Sequence, residues 1–373
     1  MSDSKASKEK KGVARKTLGI VGGLLLILIF LVVAYVVYAL VDYHRIDDNQ
    51  VLEVNNPEGI ETVVSTDKQL TIQGWNLGFA AYLQDYTFFM DGGKESRARS
   101  KELVIEAMNA MIKETAEIDA DFVALQEVDF DSTRSYHVDE RQMVFDAFKD
   151  RSGTFAINFE SPYLFYPILE PHGISNSGLL TMSKFEMQSS LRRSLPIQQD
   201  LGRFIDLDRC YDVVKFNTDN GKELVLINLH LSAYTTDPTI ADQQLDMLYA
   251  QITEEYSKGN YIICSGDFNK DMLGNSAEIF PCTDNKSERN WATPFKEDKL
   301  PEHFKVAKPV DLNNPVASCR DSNIPYEKGV SFLITNDAFI VSDNIEVIKA
   351  DCIDLAFEWS DHNPVYMQFK LKK

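Results

Sequence analysis

A stretch of 24 residues without a charge, from Leu18 to Val41, is the feature that most limits how this chain can be arranged. An apolar helix of about 20 residues is enough to cross the hydrocarbon core of a bilayer. Six basic residues precede the stretch, and Asp42, Asp47 and Asp48 follow it closely. The positive-inside rule then predicts a cytoplasmic N-terminus and an extracellular remainder. A cleaved signal peptide is the alternative, but its apolar region is shorter and no clear A-x-A site follows here.

This segment divides the chain into a basic tail (1–17), a transmembrane helix (18–41), a polar tether (42–65) and a large folded domain (66–373). The net charge is −19, but the 41 N-terminal residues contribute +4, which leaves −23 on the remainder. A body this acidic does not attract polyanions over long distances, so binding of nucleic acid or anionic lipid requires a local basic patch or bound cations. The prediction is a single-pass protein of the cell membrane, with no protein partner indicated.

Apolar strand patterns in the first half of the folded domain end in polar or acidic residues. The patterns over 70–78 and 121–128 carry Asn76 and Glu127 near their carboxyl ends, and a helical stripe over 96–118 separates them. An acid that closes a buried strand needs a partner or a metal ion. A turn-capping Asn and a solvated strand end are the alternative interpretations.

The second half repeats this arrangement. A hairpin signal at residues 220–221 predicts two strands, with His230 near the end of the second. A later apolar strand leads into Gly266, whose freedom permits a tight turn before Asp267 and Asn269. One charged and one neutral oxygen ligand on one side suit a hard cation or a phosphoryl group. A core histidine and a turn with Asx hydrogen bonds are the alternatives.

An acid and a histidine stand side by side near the C-terminus, where Asp361 and His362 precede the last strand pattern. An imidazole that titrates near neutrality and is close to a carboxylate meets the needs of a general base. Asp337, which lies inside a predicted strand over 332–342, is the natural partner of His362. An ordinary turn that opens a strand is the alternative.

Two further segments are less regular. The aromatic run 163–169 predicts a core strand, with a lipid-contacting loop as the alternative. Residues 270–330 lack periodicity and are predicted to form a long insertion over the active face, where specificity would be decided. Five scattered cysteines without a C-x-x-C pair exclude a dense disulfide scaffold.

The motifs WN, LQE, LLTMSK, NLHL, SGDFN, NDAFIVS and SDHNPV occur in this order along the chain. In this order they resemble the endonuclease/exonuclease/phosphatase superfamily, which includes secreted DNases, abasic-site endonucleases, sphingomyelinases and inositol-phosphate phosphatases. The similarity covers residues 68–371 and is to a membrane-anchored, bacterial type of member. It implies an α/β fold, a four-layer α/β sandwich with two mixed sheets packed face to face and helices outside, preceded here by one transmembrane helix.

The resemblance also implies a metal site. Glu127 matches the principal Mg²⁺ ligand, with Asn76 beside it and Asp361 in the metal shell, and Mn²⁺ is the alternative ion. Oxygen-rich ligands of this kind suit a magnesium ion better than zinc.

The remaining matched residues imply the catalytic roles. His362 matches the general base, oriented by Asp337. Asp267 and Asn269 match the pair that positions the attacking water and the phosphate oxygens. His230 matches the histidine that contacts the phosphate and assists the leaving group, so Asn76, Asn269 and His230 are the expected substrate contacts.

The implied activity is metal-dependent hydrolysis of a phosphoester outside the cell, with nucleic acid as the first substrate class. Phospholipase C-like, sphingomyelinase-like or phosphatase activity on lipid headgroups or inositol phosphates is the alternative, and a catalytically silent binding module is the alternative from another class. A basic groove formed by Arg192, Arg193, Arg203 and Arg209 would favour a polynucleotide. The chain departs from many members at Ala338, where an aromatic residue commonly follows the aspartate.

Overall fold

The computed structural model describes residues 2–198, 208–233, 237, 239–284 and 293–373. The chain divides into two compact units, Met1–Arg45 and Ile46–Lys373. The first contains helix α1 (Ser2–Asp42), whose part from Ala14 to Asp42 is long and apolar enough to cross a membrane. The hydrophobic clusters found among the described residues all lie in the second unit, which therefore has a core of its own.

Two seven-stranded mixed sheets form the body. The first sheet contains, in spatial order, β15 (Ile345–Cys352), β16 (Val365–Leu371), β3 (Leu70–Asn76), β4 (Phe122–Asp129), β6 (Asn176–Ser183), β5 (Ser152–Glu160) and β2 (Val54–Asn55). The second contains β1 (Gln50–Val51), β7 (Ser189–Ser194), β8 (Cys210–Asn217), β9 (Glu223–His230), β10 (Tyr261–Asp267), β14 (Asp337–Ser342) and β11 (Phe304–Ala307). A separate pair is formed by β12 (Cys319–Arg320) and β13 (Leu333–Ile334).

Each sheet contains one parallel pair, β3 with β4 and β9 with β10. The other neighbouring strands run antiparallel. The carboxyl ends of a parallel pair lie at one edge of its sheet, and an antiparallel neighbour begins at that same edge. Strands β14 and β16 therefore begin where the parallel pairs end.

Among the described residues, the α-helices of the body are α2 (Lys101–Ile118), α3 (Glu140–Ala147), α4 (Thr239–Ser257) and α5 (Ser276–Ile279). The Ser100 side chain accepts a hydrogen bond from the Leu103 backbone N–H and so caps the start of α2. Apolar side chains of α2 pack on β4 and β6, while those of α4 pack on the outer face of β9 and β10. Between the sheets the Phe122 and Phe216 rings meet edge to face at 5.1 Å. This arrangement confirms the predicted four-layer sandwich.

Four predicted segments differ from the structure. The strand expected over 332–342 is divided into β13 and β14, because the Asn336 side chain and carbonyl bond to Asp267 and Phe268. The run 163–169 is not a core strand, since its residues form part of an exposed excursion. The insertion 270–330 contributes β11 to the second sheet, and residues 46–65 contribute β1 and β2.

Asp212 is a fully buried acid that links strands of both sheets. It accepts hydrogen bonds from Ser190 Oγ at 2.7 Å and Thr181 Oγ1 at 3.2 Å. Burial raises the pKa of Asp212 to about 7, against the lowering effect of these hydrogen bonds. The folded protein therefore keeps a proton that the unfolded chain releases above its ordinary pKa of 3.8.

We expect the free energy of unfolding to fall as the pH rises from about 4 to about 7, by up to roughly 4 kcal/mol at 1.36 kcal/mol per pKa unit. Asp212→Asn can keep both contacts, with its oxygen accepting in one and its NH2 donating in the other, but it cannot titrate, so its unfolding free energy should lose this dependence and exceed that of the wild type above about pH 7. Urea unfolding of residues 46–373 across this pH range measures both quantities. Parallel pH profiles for the two proteins would contradict the expectation.

Candidate active site

One rim of the sandwich collects the polar ends of the strands. Asn76 ends β3, Glu127 lies near the end of β4, and His230 and Asp267 end β9 and β10. Asp337 begins β14, and Asp361 and His362 precede β16. The predicted residues that line one pocket at this rim are Glu127, His230, Asp267, Asn269, Asp361 and His362.

His362 and Asp337 form a buried pair. The His362 Nδ1 atom lies 2.8 Å from Asp337 Oδ2. Burial by itself lowers the pKa of His362, but the negative charge of Asp337 and this hydrogen bond raise it well above its ordinary value. The Trp75 indole N–H donates to the His362 carbonyl at 2.8 Å, which fixes the backbone that carries the ring. The imidazole is therefore held in one orientation.

Asp267 lies at the centre of the cluster. Its Oδ1 atom accepts hydrogen bonds from the Asn269 backbone N–H at 2.8 Å and from Asn336 Nδ2 at 3.0 Å. Its Oδ2 atom lies near three side-chain nitrogens: Asn76 Nδ2 at 3.2 Å, His230 Nε2 at 3.4 Å and His362 Nε2 at 3.7 Å. Burial raises the pKa of Asp267 to about 7, with His362 lowering it and Asp337 raising it further.

A tight turn was predicted at Gly266, but this glycine lies inside β10, directly before Asp267. Its φ is +149°, and a Cβ atom there would lie 2.0 Å from the Leu229 carbonyl oxygen. Only glycine fits at this point, so the close approach of the parallel strands β9 and β10, and not a turn, requires it. The close approach brings Asp267 opposite His230 in the strand register.

Glu127 enters the pocket through a break in β4. The pairing of β4 with β6 shifts register between Leu125 and Val128, and Glu127 has a left-handed backbone with φ of +52°. A bulge of this kind re-aims a side chain next to a site. The Glu127 side chain is 25% exposed, so the carboxylate reaches the pocket rather than the core.

Asn76 and Asp361 complete the acidic part of the rim. Asn76 Nδ2 lies 3.3 Å from Glu127 Oε1, and its Oδ1 accepts a hydrogen bond from the Gly78 backbone N–H at 3.0 Å. Burial raises the pKa of Asp361, and the charge of Glu127 raises it further against the opposing charges of His362 and Arg320. Asp361 and the partly exposed Glu127 form an oxygen-rich pair of carboxylates that fits a hard divalent cation.

A second group of donors lies beside the first. One atom from each of Asp267, Asp337 and His362 lies within 4.8 Å of the others, close enough to hold a metal ion. In this group Asp337 and His362 already use one atom each for their mutual hydrogen bond.

His230 differs from His362 in its environment. Burial lowers its pKa well below the ordinary value, and the charges of Arg209, His362 and Arg134 lower it further. Its Nδ1 atom is buried without a hydrogen-bond partner in the described part of the chain. His230 is therefore neutral at physiological pH.

Of the four arginines proposed to mark a polynucleotide groove, the three that the structure describes are dispersed. Arg192 is buried and donates to the Ile157 carbonyl at 2.7 Å, and Arg193 pairs with Asp48 at 3.1 Å. Arg209 lines the pocket, while Arg203 lies outside the described residues.

Arg134 is a pocket residue that no sequence motif indicated. It forms two hydrogen bonds with Asp129, at 2.8 and 3.0 Å, and lies 3.9 Å from Glu127 Oε2. Its guanidinium also stacks 4.0 Å from the centre of the Phe79 ring. Phe79 is distant from Arg134 in the sequence, and Asp129 belongs to no motif that would indicate the pair. Only the fold therefore shows that Arg134 supports the pocket wall behind Glu127.

Arg134→Ala should lower the free energy of unfolding by about 3–5 kcal/mol, because it leaves the buried Asp129 carboxylate without its cation. Lys113→Ala is the matched control, since the Lys113–Glu117 pair is exposed and such pairs contribute about 0.3–0.5 kcal/mol. Urea unfolding of residues 46–373 compares the two. Similar losses for both variants would show that the Arg134 pair has no special structural role.

Known proteins share this fold. A solved endonuclease/exonuclease/phosphatase from Beutenbergia cavernae DSM 12333 is 16% identical, with a TM-score of 0.52 over 82% of this chain and 72% of that chain. ANGEL2, a 2′,3′-cyclic phosphatase, is 14% identical, with a TM-score of 0.53 over 89% of this chain and 100% of that chain. D. rerio TDP2, solved with a single-stranded DNA product, is 15% identical, with a TM-score of 0.50 over 82% and 100% of the two chains.

At these identities the similarity shows the fold. No curated protein sequence matches the chain. The sequence profile of the Endonuclease/Exonuclease/phosphatase family, in contrast, matches residues 74–295, which include Asn76, Glu127, His230, Asp267 and Asn269. The chain therefore belongs to the endonuclease/exonuclease/phosphatase family of phosphoester hydrolases.

Proposed function

We propose that this protein is a Mg²⁺-dependent phosphodiesterase anchored in the cell membrane by α1, with its body outside the cell. The observation that carries the proposal is the pocket in which His362, braced by Asp337 at 2.8 Å, lies beside Asp267 and the carboxylates Glu127 and Asp361. The distribution of charge around α1 supports the orientation, since basic residues precede the apolar stretch and acids follow it.

His362 acts as the general base. Its Nδ1–H donates to Asp337, so the Nε2 lone pair of the neutral ring, the form that a cation bound nearby would favour, can take a proton from water. The water oxygen then forms a bond to phosphorus as the bond to the leaving oxygen breaks, and that oxygen departs with the electron pair. Asp267, whose Oδ2 lies 3.7 Å from His362 Nε2, orients the water.

His230 and Asn269 act on the phosphate. A neutral imidazole can donate a hydrogen bond from Nε2 to a phosphate or leaving-group oxygen without carrying a permanent charge. Asn269 has a left-handed backbone, with φ of +49°, and its Nδ2 donates to the Leu231 carbonyl at 2.8 Å. Its carboxamide is thereby fixed at the pocket wall.

Glu127 and Asp361 would hold the metal ion, with Asn76 orienting Glu127 through its amide nitrogen. Bound Mg²⁺ supplies positive charge that stabilises the developing charge on phosphate and lowers the pKa of a nearby imidazole. We favour Glu127 and Asp361 as the metal ligands over the group of Asp267, Asp337 and His362. Asp337 and His362 are hydrogen-bonded to each other, and His362 is needed for proton transfer.

The positions of the arginines in the fold indicate which class of substrate the pocket can bind. Of the three described arginines that could mark a polynucleotide groove, Arg192 and Arg193 are engaged in contacts within the body and only Arg209 lines the pocket. This arrangement favours a compact phosphodiester, such as a lipid headgroup, over a long polyanion.

A substrate panel tests the proposal. Full-length wild type and His362→Ala would be incubated with DNA, RNA, sphingomyelin and inositol phosphates, each with Mg²⁺ and with EDTA. We expect Mg²⁺-dependent turnover of at least one phosphodiester by the wild type, and its loss in the variant. Turnover of none by the wild type, or equal turnover by both proteins, would overturn the proposal.

A further inference from the structure

Residues 164–173 form a short excursion beside the pocket, here called the hairpin. Leu164 and Gly173 pair through two backbone hydrogen bonds of 3.0 Å, and the Glu170 N–H donates to the Pro167 carbonyl across the turn. The turn is tied to the body at its last residue, because Ser96 Oγ donates to the Glu170 carbonyl and Arg97 Nε lies 3.2 Å from Glu170 Oε1. The hairpin is therefore a fixed projection.

The tip of the hairpin exposes large apolar side chains. Phe165 is 55% exposed, Tyr166 68%, Ile168 83% and Leu169 99%. No charged residue occurs from 161 to 169. Single exposed apolar residues are common on protein surfaces, but four in five consecutive positions mark an interaction surface.

This surface continues to the mouth of the pocket. The Tyr166 ring lies 5.7 Å from the Phe89 ring, and Met90, the next residue, is 37% exposed and lines the pocket. His172, at the foot of the hairpin, also lines the pocket. We call Met90, Phe165, Tyr166, Ile168 and Leu169 the apolar lip.

We propose that the apolar lip enters the surface of a lipid bilayer, so that the pocket acts on the phosphodiester of a lipid headgroup. The substrate part of this proposal rests on the proposed phosphodiesterase function. Docking of the lip, in contrast, rests on the exposed side chains and on the chain's own apolar helix.

The length of the linker favours a bilayer as the occupant. Helix α1 ends at Asp42, and the body begins at Ile46, whose backbone N–H donates to Asp208. Only three residues lie between these points, and such a linker reaches roughly 15 Å. With α1 in a membrane, the body is confined to the region of the bilayer surface.

The chemistry of the lip favours lipid as well. Aromatic rings and aliphatic side chains together are typical of protein surfaces that enter the boundary between headgroups and acyl chains. The chain after the apolar stretch carries −23, so an anionic partner or an anionic membrane would be repelled at long range. An uncharged lip on an acidic body suits a zwitterionic bilayer.

A fluorescent probe tests the docking. Leu169→Trp and Leu312→Trp would each be made in the full-length protein and placed in phosphatidylcholine vesicles with and without brominated acyl chains. Leu312 is the matched control because it is an exposed leucine, 70% exposed, outside the lip. We expect the added emission of Leu169→Trp to be blue-shifted and at least halved by bromine, and that of Leu312→Trp to be unchanged. Equal emission of Leu169→Trp in both kinds of vesicle would overturn the docking and point to a protein partner.

A kinetic experiment tests the substrate class. The double variant Ile168→Asp, Leu169→Asp should hydrolyse sphingomyelin and phosphatidylcholine in vesicles at least tenfold more slowly than wild type. Its turnover of soluble bis-nitrophenyl phosphate should be unchanged, because neither residue lines the pocket. Leu312→Asp should behave as wild type in both assays.

The outcomes separate this proposal from the proposed function. Equal losses on vesicle lipid and soluble diester would show a structural role for the tip and overturn the lip proposal. Wild-type turnover of the soluble diester without turnover of either vesicle lipid would overturn lipid as substrate and leave the phosphodiesterase standing. If the wild type hydrolysed neither the soluble diester nor the vesicle lipids, the proposed phosphodiesterase function and the lipid substrate would both be overturned. The quenching of Leu169→Trp by brominated lipid would still decide whether the lip docks on a bilayer.

Discussion

Replacing His362 with alanine is expected to lower kcat for a phosphodiester by about 10²- to 10⁴-fold, the usual contribution of a general base. The His362 side chain is braced by the Asp337 carboxylate, which lies 2.8 Å from its Nδ1 atom. KM should change much less, because proton abstraction is a feature of the transition state rather than of substrate binding. Initial rates over a range of bis-nitrophenyl phosphate concentrations give both parameters.

Asp337→Asn should lower kcat almost as strongly as His362→Ala. An amide nitrogen in place of Oδ2 would donate to Nδ1 and so place the ring proton on Nε2, where a base needs its lone pair. His303→Ala is the matched control, because His303 and Asp343 form an exposed pair at the same 2.8 Å. Loss of less than tenfold in His362→Ala, with His303→Ala unaffected, would contradict the base assignment.

Glu127→Gln is expected to raise the Mg²⁺ concentration for half-maximal activity by roughly 100-fold or more, since the loss of partners that merely orient metal ligands already costs 10- to 100-fold. The variant keeps the size of the side chain and one acceptor oxygen but removes the charge that attracts a cation. Its backbone at φ +52° and the contact with Asn76 Nδ2 should be retained. Activity titrated with Mg²⁺ after chelation measures the shift.

Asp131→Asn is the control for this titration. Asp131 lies four positions beyond Glu127, is 64% exposed and pairs with His137. It should have the metal dependence of the wild type. A Glu127→Gln variant with an unchanged Mg²⁺ requirement would exclude Glu127 as a ligand and favour the group of Asp267, Asp337 and His362.

The rim of the sandwich could be predicted from the sequence because its polar and acidic residues come at the ends of apolar strand patterns. Asn76 and Asp267 interrupt strong strand patterns, and the parallel order of β3 with β4 and of β9 with β10 brings such ends together. His362 and Asp337, 25 positions apart, are in contact as predicted. Their roles in catalysis and metal binding remain predictions that the variants above test.

Other features depend on contacts that a linear pattern does not contain. The buried Arg134 side chain forms an ion pair with Asp129 and lies over the ring of Phe79, which is more than fifty positions away from Arg134 in the sequence. The run 163–169 has the composition of a core strand, but in the described part of the chain its one β-bridge joins Leu164 to Gly173, and its tip remains exposed. Residues 270–330 add β11 to a sheet edge without a strong alternation of their own.

The most direct test of the site is the hydrolysis of bis-nitrophenyl phosphate by the purified full-length protein, measured with Mg²⁺ and again after EDTA. We expect release of nitrophenol with Mg²⁺, its loss with EDTA, and its recovery when Mg²⁺ is restored. Hydrolysis at the same rate in EDTA, or no hydrolysis under either condition, would contradict a metal-dependent phosphodiesterase at this rim.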